Sequence, residues 1–69
     1  MSQVIRARIA TNVKILREKA GWKRENLSLI LGLDNSYISK LERLKVNITI
    51  DRLSQIADYF IVDILDLLK

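Results

Sequence analysis

Residues 24–43 read RENLSLILGLDNSYISKLER, and this stretch decides the fold. Counted from Arg24, Leu27 is fourth, Ser28 fifth, Gly32 ninth, Ile38 fifteenth and Leu41 eighteenth. That spacing predicts two short helices joined by a tight turn. Leu27, Ile38 and Leu41 are the apolar positions that weld the pair together. Ser28 is small enough for the second helix to approach closely. Gly32 can adopt the positive φ that ends a helix abruptly.

Between the buried positions lie Asn35, Ser36, Tyr37, Ser39, Lys40 and Arg43. They are short polar or basic groups, chemically suited to hydrogen-bond base edges and phosphates.

Working outward, the chain predicts five helices with short connections. The first covers about Gln3 to Ala20, with Ile5, Ile9, Val13 and Leu16 as its apolar stripe. Gly21 ends it, and Arg17 and Lys19 suit the negative end of the helix dipole. Trp22 reads as a core aromatic, placed where it can staple onto Leu27. The second helix covers about Arg24 to Leu31. Its Leu27, Leu29, Ile30 and Leu31 cannot all face inward, which leaves Leu29 or Ile30 partly exposed. The third begins after Asp34, an N-cap residue type, and covers about Asn35 to Arg43. Residues 44–50, LKVNITI, are rich in β-formers, but a lone strand would have no partner, so they read as a loop. The fourth helix begins at Thr49 and faces inward with Leu53, Ile56, Ala57 and Phe60. The fifth begins after Asp63 and holds Ile64, Leu65, Leu67 and Leu68.

The chain has 69 residues, the size of one small domain spanning residues 1–69. A domain of this size buries only about 60% of its unfolded surface, so helix packing or a partner must stabilise it. It contains no cysteine and no histidine. Thiol nucleophiles, imidazole bases and nearly all transition-metal sites are thereby removed, and no glycine-rich phosphate loop is present. The expectation is a non-enzyme with no cofactor and no metal.

No apolar run approaches the roughly 20 residues of a membrane span, and MSQVIRARIA lacks the apolar core of a signal peptide. The expected setting is the cytoplasm. Net charge is +4, unevenly distributed. Residues 1–50 carry ten Lys/Arg against four carboxylates, whereas residues 51–69 carry two against four aspartates. A basic front and an acidic, apolar tail imply one face that meets an anion and another that meets something else.

Over about residues 17–68 the resemblance becomes specific. LREKAGW, ENLSLILGL, SYISKLER, N-I-T-I-D-x-L and VDILDLL, in that order and without gaps, resemble the Cro/repressor (Xre-type) helix-turn-helix family of transcriptional regulators. The resemblance implies an all-α, compact five-helix bundle of λ-repressor type, with the helix-turn-helix at about residues 24–43. It implies double-stranded DNA as partner and a homodimer on a twofold operator. No small-molecule effector is expected.

Carried over by position, Asn35, Ser36 and Lys40 resemble base-reading residues, flanked by Tyr37 and Ser39. Arg24, Arg43, Lys45 and Asn47 resemble backbone contacts. Arg17 and Glu42 resemble a structural ion pair tying the first helix to the end of the third. Ile61 and Leu65 with Leu68 are the expected dimer patch in an apolar tail larger than one bundle needs.

Some positions depart from the family pattern. Lys23 and Asn26 stand in place of a capping box at the second helix. Leu44 and Ile61 stand where glycine is common, and Ile48 where proline is frequent. The Asn-Ile-Thr variant resembles restriction-modification controller proteins and some stand-alone regulators. A second reading keeps the fold but makes it a protein-interaction module, antitoxin-like or an anti-repressor adaptor. Its basis is the apolar excess on the second helix and in the tail.

Overall fold

The computed structural model describes residues 2–69; Met1, the first residue of the expected domain, lies outside them. Five helices and no strand occur among the described residues: α1 (Gln3–Lys19), α2 (Arg24–Ile30), α3 (Tyr37–Glu42), α4 (Ile50–Phe60) and α5 (Ile64–Leu68). The expected all-α architecture is observed, and residues 44–49 form an irregular connection. No helix is long and apolar enough to cross a membrane among those residues.

The helix ends follow local chemistry. Ser2 caps α1 by accepting from the Ile5 N–H, and Thr49 caps α4 by accepting from the Arg52 N–H. At α5, Asp63 and Asp66 form a reciprocal capping box. Lys23, at the N-cap position of α2, makes no side-chain capping bond among the described residues, as the missing capping box predicts. Gly21 and Gly32 follow α1 and α2 at φ of 78° and 74°, the left-handed geometry expected of helix-stopping glycines.

One core serves all five helices. Ile9, Val13, Leu27, Ile38, Leu53, Ile56 and Leu67 are fully buried, closed by Leu31, Leu41, Ile48 and Ala57. Ile5, Leu16, Trp22, Phe60 and Leu68 pack half-buried against it. Both Leu29 and Ile30 are exposed, at 57% and 54%, because α2 turns its one inward stripe through Leu27 and Ser28.

Two connections tolerate residues that resist their backbone. Leu44 sits at φ 60° and Ile61 at φ 56°, where glycine would be unstrained. The Arg6 guanidinium holds the first of these: one nitrogen donates to the Leu44 and Val46 carbonyls at 3.1 and 3.2 Å. From the same helix, the Asn12 amide donates to the Leu67 carbonyl at 2.9 Å, satisfying the end of α5.

Candidate nucleic-acid interface

Helix α3 begins two residues later than its sequence suggests. Asp34 is not its cap. The Asp34 carboxylate accepts from both the N–H and the hydroxyl of Ser36, which folds residues 34–36 into a turn. The helix proper starts at Tyr37, whose N–H donates to the Asp34 carbonyl at 2.9 Å. Asn35 and Ser36 are therefore presented from the turn. The same two bonds from Ser36 hold the Asp34 carboxyl below its ordinary range, with Lys40 adding a smaller attraction.

Ser28 contributes more than small size. Its hydroxyl donates to the Arg24 carbonyl at 2.9 Å and accepts from the buried Ile38 N–H at 3.0 Å. One side chain of α2 thus supplies the cap that Ser36 does not provide for α3.

The expected reading residues divide by surroundings. Asn35 and Lys40 are exposed, while Ser36 and Ser39 are half-buried. Ser36, Lys40 and Arg43 recur at the helical interval, away from buried Ile38 and Leu41. The Lys40 ammonium lies 4.0 Å from Asp34. Tyr37, expected to flank the base-reading residues, has close neighbours of its own. It packs half-buried against the core, with the Arg52 guanidinium 5.7 Å from its ring centroid. Burial raises its phenol pKa above the ordinary value, and Arg52 opposes that shift.

Arg17 and Glu42 meet at 2.7 Å, with side chains only 9% and 6% exposed. Arg17 also donates to the Trp22 carbonyl at 2.9 Å. Glu42 has a further partner, because the Arg24 Nε donates to its other oxygen at 3.0 Å. Arg24 is thus tied on one side to Glu42, while half its side chain stays in solvent. Arg43, Lys45 and Asn47 are exposed beyond the end of α3.

In the tail, Ile61 and Leu65 are exposed at 91% and 62%. Leu68, the third residue of the expected patch, is half-buried against the core.

Sequence reasoning missed four polar anchors: Arg6, Asn12, Arg52 and Gln55. Each crosses between helices or to a distant loop, so no local spacing announces it. The one hint is that Arg6 and Asn12 border the apolar stripe of α1.

Two short helices at this spacing, the second presenting polar and basic groups outward from a three-sided anchorage, define a helix-turn-helix protein. The chain belongs to that family: the helix-turn-helix family model matches residues 13–67. It is similar to a protein called Neisseria hypothetical transcription factor, from Neisseria meningitidis serogroup B (strain ATCC BAA-335 / MC58). Identity is 36% over 55 residues, covering 80% of this chain and 52% of the relative. The chain therefore spans about half the length of that curated relative. Its structure is similar to the crystal structure of the hypothetical transcription factor NHTF from Neisseria. That match has a TM-score of 0.87 and 34% identity over 94% of this chain and 75% of the other.

Proposed function

We propose that this chain is a sequence-specific DNA-binding transcriptional regulator that grips a twofold operator as a homodimer. The observation that carries the reading is the outward face of the helix-turn-helix. Asn35 and Ser36 stand in the turn before α3 and exposed Lys40 lies within the helix, with basic Arg24, Arg43 and Lys45 as further exposed groups. Membership of a family with a transcription-factor relative supports it.

In this reading α3 enters the major groove N-terminus first. Asn35 pairs with adenine, Lys40 reaches guanine, and Ser36 and Ser39 bond whichever base edge they meet. Tyr37 contributes the edge of its half-buried ring. Arg24, Arg43, Lys45 and Asn47 bind phosphates and set register. Ile61 and Leu65 with Leu68 join two copies, so that two α3 helices lie about 34 Å apart. The protein then blocks or recruits polymerase, in the manner of a phage repressor or a restriction-modification controller, with concentration and dimerisation as its controls.

The test is selection of duplexes from a random pool. A twofold motif with half-sites one turn apart is the expected result. With about four phosphates neutralised per subunit, log affinity should fall against log salt with a slope of about −7. Salt-insensitive binding refutes the reading.

The exposed Leu29 and Ile30 favour a second reading, a protein-interaction module of the same fold. A gel shift on random duplex at low salt separates the two: a regulator binds and a pure interaction module does not.

A further inference from the structure

The turn between α2 and α3 is held at both ends by α4. At one end, the Gln55 amide donates to the carbonyl of Leu31, the residue that closes α2, at 2.7 Å. At the other, the Arg52 guanidinium lies over the ring of Tyr37, the first residue of α3. The two anchors are joined, because Arg52 Nη1 donates to Gln55 Oε1 at 2.6 Å. The path from Leu31 through Gln55 and Arg52 to Tyr37 links the two ends of the turn.

Helix α3 has reason to need such a brace. It has six residues, well below the length at which a helix holds itself in water. Ser36, at its cap position, makes no capping bond to it among the described residues. Its first turn is fixed by Ser28 from α2 and by Arg52 from α4. Base recognition depends on the angle at which that first turn is presented. A small rotation moves side-chain tips by more than a hydrogen bond tolerates.

We propose that Arg52 and Gln55 are positioning residues that set the angle of α3, and through it the base preference of the protein. The proposal rests on the DNA-binding reading above. It assigns Arg52 no phosphate contact: its charge is spent on Tyr37 and Gln55, and its side chain is half-buried.

The test uses a duplex selected by the wild-type protein from a random pool and a scrambled duplex of the same composition. Their affinity ratio is measured over a range of salt for wild type, Arg52→Met, Arg52→Lys and Gln55→Leu. For Arg52→Met and Gln55→Leu the ratio should fall about tenfold, the scale of one good base contact. The salt slope on the scrambled duplex should stay unchanged. Arg52→Lys should recover part of the ratio, since it keeps a cation over the ring.

A slope that shrinks by about 2 for the Arg52→Met dimer makes Arg52 a phosphate contact and overturns the proposal. So does an unchanged ratio in variants that fold by circular dichroism. Amide exchange at Ile38 checks the brace without DNA. Exchange about tenfold faster in Gln55→Leu is expected, and unchanged exchange overturns the brace. Wild-type protein that selects no duplex defeats the DNA-binding reading itself, a result separate from these.

Discussion

Arg17 and Glu42, 25 residues apart in sequence, form a buried ion pair at 2.7 Å that fastens α1 to the last residue of α3. Arg24 shares the same carboxylate at 3.0 Å from the solvent side. The two arginines differ in what their loss leaves behind.

Glu42→Ala strands the Arg17 charge in a buried site. It should cost about 3–5 kcal/mol, a large part of the stability of a domain this small. Arg24→Ala removes a partner that is 52% exposed and should cost only about 0–1 kcal/mol. Urea denaturation of both variants checks the contrast; equal losses would refute it.

Ser28→Ala should leave the Ile38 N–H without a partner in a buried position. The expected loss is about 1–3 kcal/mol, offset by a few tenths from the better helix propensity of alanine. Thermal unfolding measures it, and faster exchange of the Ile38 amide identifies the cause.

Ile61 carries a β-branched side chain at φ 56° while 91% exposed. Left-handed backbone costs such a residue about 1–2 kcal/mol, and glycine returns about 0.5–1 of that as chain entropy. Ile61→Gly should therefore raise folding stability by about 0.5–1 kcal/mol while weakening self-association. Denaturation and sedimentation, run on the same variant, should move in opposite directions.

Asp34 titrates below its ordinary value of 3.8 in the folded protein. Its contribution to stability is present above that value and is lost as pH falls through the lower folded one. A carboxyl NMR titration should show the low midpoint, and Ser36→Ala should move it back toward 3.8. Tyr37 shifts the other way. Its phenol should titrate above 10.0, and Arg52→Met should raise it further by removing the opposing charge. In that case stability is retained below 10.0 and lost as pH rises through the folded value.

Much of the fold is legible in the sequence because its signals are local. The stripe of Ile9 and Val13, the glycines at 21 and 32, and the caps at Thr49 and Asp63 each act within a turn or two of themselves. The start of α3 is misread because Asp34 has two local options, a helix cap and a turn to Ser36. The turn prevails where Ser28 already supplies the bond to Ile38 that a cap would make elsewhere in the first turn. The half-burial of Leu68 is not legible in the sequence, because an apolar residue in a short terminal helix has no periodicity long enough to separate core from surface.

By itself, the sequence determined five helices, the glycines that end α1 and α2, and most of the apolar residues that form the core. Helix periodicity and capping are short-range physics, readable from neighbours along the chain. Only the tertiary structure decided that Glu42 binds two arginines, that Tyr37 lies beneath Arg52, and that Gln55 closes α2. Those bonds join residues 18 to 25 positions apart or span separate helices through long side chains. Their partners are chosen by the angles at which helices pack, and those angles emerge only when the whole core closes.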